Sequence, residues 1–322
     1  MSKSFSGKPV TLAFTGDIFF SDKLYDYYEN DGISGFLSGR IQNTLRDADL
    51  YIPNHEFVCS DIGTKADYQT FTFRAPAKRE KLFQELGADV ITLANNHALD
   101  YGTDALLDTF SLIHALGMEY VGAGNDLEEA LTPAVKRVRG KSFAIFGTTR
   151  FVPNGDWYAA AGHPGVLTSY EFTDYFPMIC DAIEKAKREN DFVIVYAHMG
   201  IEKQTSVEEF QKIIAHGYVD AGADLVVACH PHRLQEMEFY RGRLIAYSLG
   251  NFLFCNYHSD TMVLTVSVRE DNSVDARILP CSSESYKTKD LTGDDAERLY
   301  RFIEDISFNI TIDENGTIKE KK

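Results

Sequence analysis

The sequence predicts an α/β fold with largely parallel strands, turning antiparallel towards the C-terminus. Three observations carry this prediction. Short apolar runs alternate with segments of helical spacing along most of the 322 residues. Run after run stops at a polar residue followed by a turn, as buried strands do. From about Thr261 the pattern changes to period-two alternation, first in MVLTVSV and then in VDARIL, which reads as antiparallel strands.

The elements follow in order. Val10–Phe14 is apolar and stops at Thr15-Gly16-Asp17, so a buried strand leads into a loop. Ile41–Ala48 reads as a helix, and Asp49–Pro53 as a strand that the proline stops. Phe71–Arg74 is expected to be extended, and Ala77–Leu86 to be a helix closing on Gly87. Asp89–Ala94 is a buried strand running straight into Asn95-Asn96-His97, and a helix over Asp104–Leu116 closes on Gly117. Lys141–Gly147 is a strand, and the Gly-, Pro- and aromatic-rich stretch 148–169 is a candidate lid or insertion. Tyr170–Glu189 is predicted as one long helix and Phe192–Ala197 as a strand ending at His198. A helix over Val207–Ala221 is followed by a strand at Asp224–Ala228, which ends in Cys229-His230-Pro231-His232. Arg243–Leu249 leads into Gly250-Asn251, and the last helix covers about Asp294–Ser307.

Composition narrows the function. The chain is 44% hydrophobic, enough for one large core. With 48 acidic and 32 basic residues its formal net charge is −16, which disfavours non-specific nucleic-acid binding and docking on an anionic membrane. The five cysteines are odd in number and form no C-x-x-C pair, so they read as free thiols in a reducing compartment. The N-terminus shows no apolar signal region and no run is long enough to span a bilayer, so the expectation is a soluble cytoplasmic protein.

The chemistry gathers at the strand ends. Asp17, Asn54 and Glu56, Asn96 and His97, His198, and His230 and His232 each follow a predicted strand. In open α/β sheets ligands bind in the crevice beyond the carboxyl ends of the strands, so these residues are expected to converge. Singly, each has a plainer reading: Asp17 as a turn or cap residue, Asn95-Asn96-His97 as a helix cap, and His-Pro-His as a solvated loop. Together they form a mixed oxygen and nitrogen set that suits Mn, Fe, Zn or Co better than Ca or Mg. Cys59 and Cys255 read as small buried hydrophobes. Arg74, Arg150 and Arg233 are candidates to hold a substrate anion, or to pair with surface acids.

The stretches FTGDIF (14–19), ADLYIPNHEF (48–57), FRAP (73–76), ITLANNHALDYG (91–102), VGAGNDLEEALTP (121–133), AHMG (197–200), HPHRLQ (230–235) and YSLGNFLF (247–254) together resemble the CapA family. That family is a branch of the calcineurin-like metallophosphoesterases linked to poly-γ-glutamate capsule synthesis. The resemblance runs over about residues 10–255. It implies a four-layer sandwich of mixed sheets flanked by helices, with a domain over 8–255 and residues 256–322 completing it.

It also implies Asp17, Glu56 and His232 around one divalent transition metal, and Glu56, Asn96, His198 and His230 around a second. His97 then protonates the leaving group, and Asn54, Arg74, Arg233 and Asn251 are the substrate-binding candidates. The implied activity is hydrolysis of a phosphoester or related small anion by a metal-activated water. Two departures bear on it. Phe19 stands where the superfamily has a histidine two residues after the first aspartate, with His55 a candidate to compensate, and Cys229 stands where a glycine is usual. Two other readings follow: a non-hydrolytic component of poly-γ-glutamate synthesis, and a degenerate domain that binds a metal or ligand without turnover. The partner expected is a small anionic substrate, without nucleic acid or membrane insertion, and a homo-oligomer is left open.

Overall fold

The structure is a computed structural model and describes residues 7–321. Two mixed sheets pack face to face. The larger runs edge to edge through Ile310–Ile312, Thr317–Glu320, Val274–Glu284, Ser259–Val268, Val10–Ile18, Leu50–His55, Val90–Thr92 and Glu119–Val121. Asn251–Leu253 pairs off this path with Val10–Ile18, and Lys287–Asp290 with Val274–Glu284. The smaller sheet runs through Met237–Tyr240, Arg243–Ala246, Leu225–Cys229, Phe192–His198, Lys141–Thr149 and Ala134–Val138.

The central strands are apolar on both faces, and their period-two alternation sorts side chains into separate cores. Leu12 and Phe14, Ile52, Phe143 and Ile145, Ile194 and Tyr196, and Leu225 and Val227 meet between the sheets. Their neighbours point outward. Ala13 and Tyr51 pack under the helices Asp22–Asp31, Gly39–Asp47, Lys81–Leu86 and Thr103–Ala115. Ala144, Phe146, Val193, Val195 and Val226 pack under Tyr175–Glu189 and Glu209–Asp220. Helix, sheet, sheet, helix gives the four-layer α/β sandwich expected. The C-terminal segment is built into the larger sheet: Ser259–Val268 pairs antiparallel with the first strand from Val10↔Val268 to Thr15↔Val263.

Several boundaries differ from expectation. The first strand does not stop at Thr15 but continues to Ile18, with a register shift between Phe14 and Asp17 against its neighbour. That irregularity also lets the second strand run through Pro53 to His55, because Pro53 falls in the unpaired stretch where its missing N–H costs no ladder bond. The long helix starts at Tyr175, not Tyr170, and of the expected extended segment 71–74 only Arg74 lies in a strand, Arg74–Ala75. The stretch 148–169 carries a short 3₁₀ turn at Gly155–Trp157 and a two-residue strand, Gly165–Val166, paired with Ala123–Gly124. The helix Asp22–Asp31 and the strands Glu119–Val121 and Ala134–Val138 were not anticipated. Among the described residues no helix is long and apolar enough to cross a membrane.

Candidate metal centre

Register brings the strand-end residues together. Asp17 lies opposite Asn54 on one side and Asn251 on the other, and Asn54 lies opposite Thr92. Gly16 makes the approach possible: a Cβ there would sit 1.8 Å from the carbonyl oxygen of Gly250, whereas Asp17 N now donates to that oxygen at 3.0 Å. In the smaller sheet His198 pairs with Cys229, so the Cys229-His230-Pro231-His232 turn rises beside it. His230 and His232 both hold positive φ, 111° and 56°, a conformation that costs about 1–3 kcal/mol per residue and clusters at functional sites.

Three sets of potential ligand atoms lie within 4.8 Å of one another: Glu56, His198 and His230; Asp17, Glu56 and His232; and Asp17, His198 and Cys229. Glu56 belongs to the first two. His198 Nε2 lies 2.7 Å from Asn96 Oδ1 and 3.6 Å from Glu56 Oε1. His232 Nδ1 lies 2.8 Å from Asn251 Oδ1 and 3.1 Å from Asp17 Oδ2, and its Nε2 is 3.9 Å from Glu56 Oε1. The structure thus gathers Asp17, Glu56, Asn96, His198, His230 and His232 at one point of the seam.

Both carboxylate oxygens of Glu56 and Nδ1 of His230 are buried without a hydrogen-bond partner, and Asp17 Oδ2 has only its ion pair with His232. Buried polar atoms left unpaired are costly, and a carboxylate with neither oxygen satisfied is the costliest kind. Divalent cations held at the two Glu56-containing donor sets would give these buried atoms partners, and the mixed carboxylate, amide and imidazole set is of the kind transition metals take. The residues therefore fit such an ion.

The electrostatics of the bare cluster agree. Burial raises the Glu56 carboxyl well above its ordinary value, and the neighbouring Asp17 charge adds to this. Burial alone would raise Asp17 too, but the adjacent His232 outweighs it and holds Asp17 well below the carboxylate range. Burial and the neighbouring His230 depress His198, and burial and His232 depress His230 to about 3. His232 moves the other way, because the Asp17 carboxylate more than offsets its burial. Two neutral imidazoles beside paired carboxylates are ready to ligate a cation without first losing a proton.

His97 stands beside this cluster with Nδ1 2.7 Å from Asp100 Oδ2. Asp100 is fully buried and also accepts from Phe73 N and Gln69 Nε2. It was not singled out in the sequence, although the His-x-x-Asp spacing of 97–100 was there to be read. Cys229, a departure from the expected glycine that reads either as packed or as a ligand for a softer metal, falls in the third donor set. Its Sγ lies 3.5 Å from His198 Nδ1, on the ring edge away from Asn96.

The other candidates are placed as follows. Asn54 is fully buried; its Nδ2 donates to Asp17 Oδ1 at 2.9 Å and its Oδ1 accepts from Thr92 Oγ1 at 3.0 Å. Asn251 is also buried and holds His232. Both amides therefore brace the donor residues. Arg74 lies over the Tyr101 ring at 4.4 Å, and Arg233 is exposed beside Tyr257. Arg150 pairs with Glu171 at 2.7 Å and lies over Tyr170 and Phe210. His55 turns away: Nε2 meets Glu80 Oε2 at 3.0 Å and its ring stacks on Phe57. It therefore takes no part at the position Phe19 vacates. The five cysteines are free thiols.

A four-layer sandwich with carboxylates, an asparagine and histidines converging where its two sheets meet defines an α/β protein with a candidate metal centre at its seam. Residues 11–256 match the bacterial capsule synthesis protein PGA_cap family, and the chain belongs to it. Among relatives, the PGA biosynthesis protein CapA of Bacillus subtilis is 29% identical over 78% of this chain and 65% of its own length. The chain thus spans just under two thirds of that relative. The capsule biosynthesis protein CapA of Bacillus anthracis is 29% identical over 91% of this chain and 72% of its own. A probable polyglutamine synthesis accessory protein of Mycobacterium tuberculosis is 27% identical over 83% and 74%. Among solved structures, the Haemophilus influenzae NAD nucleotidase aligns over 94% of this chain and 64% of its own, at 15% identity and a TM-score of 0.46.

Proposed function

We propose that this protein is a metal-dependent hydrolase of a phosphoester or related small anion. The observation that carries the reading is the set of buried donor atoms without partners, drawn from both sheets onto one point. Asp17, Glu56 and His232 would hold one divalent ion, and Glu56, Asn96, His198 and His230 a second; Mn, Fe and Zn all suit this set. Such ions supply Lewis-acid polarisation of phosphoryl oxygens and a water of lowered pKa.

The remaining steps belong to the chain itself. Asp100 fixes His97 by accepting a hydrogen bond from its Nδ1–H, which leaves Nε2 as the nitrogen that holds and delivers a proton. Its acceptor is the leaving-group oxygen. Asn54 and Asn251 keep Asp17 and His232 in place. Arg233, which has no acidic partner within 4 Å among the described residues, is available to an anion oxygen.

The test is metal content by elemental mass spectrometry together with a phosphoester screen, for wild type and His97→Ala. Metal-dependent turnover that collapses in His97→Ala with metal retained supports the reading. Full turnover in that variant would overturn the role given to His97.

The names of the relatives favour a second reading, a non-hydrolytic accessory part in poly-γ-glutamate synthesis. It predicts bound metal with no turnover on any phosphoester.

A further inference from the structure

Three histidines of the centre each carry a phenylalanine ring. Phe73 packs against His97 at 4.4 Å, Phe151 stacks on His230 at 5.0 Å and 26°, and Phe254 stacks on His232 at 4.8 Å and 25°. Phe73 and Phe254 also touch each other edge to face at 5.1 Å. Phe19 closes the gap behind them, 5.0 Å from Phe73 and 6.3 Å from Phe254. The result is a continuous aromatic wall from His97 to His232, a histidine of the Asp17 donor set.

The wall is not buried as a core would be. Phe19, Phe73 and Phe254 are each partly exposed, and Phe151 is 44% exposed. The histidines they cover, by contrast, are almost wholly buried. Further apolar side chains stand exposed on loops that leave the same strand ends, among them Phe71, Ile201 and Tyr257. Single exposed apolar residues need no explanation, whereas rings gathered around a polar centre mark a binding surface. Phe19 belongs to this argument: where a histidine would add a donor, this chain adds apolar surface facing Phe73 and Phe254.

A cation stands beside the donor set. Arg233 directly follows His232 and lies 6.0 Å from the Tyr257 ring. A crevice with cation-binding donors, one free guanidinium and an aromatic face fits a ligand with an anionic head and a flat apolar body.

Resting on the hydrolase reading, we infer that the substrate is a phosphoester whose leaving group is aromatic or otherwise flat and apolar, seated on Phe73 and Phe254. The head lies at the donor cluster with Arg233 on one of its oxygens. Water supplies the new oxygen on phosphorus, the P–O bond to the apolar group breaks, and the departing oxygen takes the proton from His97. Small aliphatic esters would leave the wall wet and gain nothing from it.

The test uses manganese-loaded full-length protein and two non-hydrolysable probes, phenylphosphonate and methylphosphonate, titrated by calorimetry. Covering one ring face with the phenyl group should make phenylphosphonate bind about 10-fold tighter. The preference should fall to about 3-fold or less in Phe254→Ala, or in Phe73→Leu where Phe254→Ala fails to fold. Equal affinities in wild type would overturn the aromatic seat and leave the hydrolase reading standing. A preference unchanged in Phe254→Ala and Phe73→Leu would also overturn it. Binding of neither phosphonate by metal-loaded protein would overturn the seat and the phosphoester reading together.

Discussion

The two sheets bring unlike chemistry to their common seam. The larger supplies oxygen: Asp17 and Glu56 from its first two strands, and Asn96 from the loop after Val90–Thr92. The smaller supplies nitrogen: His198 at the end of one strand, and His230 and His232 in the turn after the next. Each donor set therefore draws on both sheets. The donor sets depend on how the sheets are apposed, and a bound cation would staple one to the other. Metal loading should consequently raise stability as well as enable turnover.

The comparison breaks most visibly at Glu56, the residue shared by the two proposed ion sites, Asp17–Glu56–His232 and Glu56–His198–His230. Glu56→Gln should lose all bound metal and lower turnover by about 1,000-fold or more, since removing metal removes the nucleophile's activation. His198→Ala and His232→Ala should each cost about one equivalent if there are two ions. Elemental mass spectrometry of the three variants checks this. Loss of all metal in His232→Ala alone would mean that the Asp17 side is the primary site.

A second effect leaves the metal in place. His97→Ala should lower kcat by about 100- to 10,000-fold with metal content unchanged, the range for a positioned general acid. Asp100→Asn should fall between the two, because an amide still meets Nδ1 but does not take charge from it. Steady-state kinetics on the best ester from the screen gives the ranking. Equal rates for wild type and Asp100→Asn would show that Asp100 only anchors Phe73 and Gln69.

The third is confined to the smaller sheet. Cys229 contacts the edge of His198 opposite Asn96. Cys229→Ala should weaken metal affinity by about 10-fold, the lower end of what partners behind a ligating histidine contribute. Chelator competition measures it. No change would mark Cys229 as packing only.

Most of this centre was legible because its residues sit at strand ends, where topology forces convergence. The structure brings Asp17, Glu56, Asn96, His198, His230 and His232 together at the seam. What the sequence concealed is direction. Nothing in Asn54-His55-Glu56 tells which side chain faces the seam, and the strand's alternation turns His55 to Glu80 and Phe57 instead. Asn54 and Asn251 were read as facing a substrate, and both amides are engaged with Asp17 and His232. The extension of the first strand to Ile18 was hidden because its last residues are polar, and their pairing depends on the distant Asn251–Leu253. The aromatic wall was invisible because Phe19, Phe73 and Phe254 meet only through tertiary contacts.

The smallest effect tests the apposition itself. Tyr196, from the smaller sheet, donates its hydroxyl proton across the interface to the carbonyl of Thr15 in the larger, at 2.5 Å and fully out of solvent. Tyr196→Phe keeps the ring in the inter-sheet core and removes only that donor. The expected cost is about 1 kcal/mol, the net worth of one buried hydrogen bond, read by urea unfolding of metal-free protein. If the apolar core alone sets how the sheets meet, metal affinity is unchanged in the variant, because Asp17 and His232 keep their separation. If the hydrogen bond sets the register of the seam, affinity falls along with stability, and a two-residue displacement from the donors is felt at the centre. The two outcomes separate a core that holds the donor sets ready from a tie that must be made for the donors to meet.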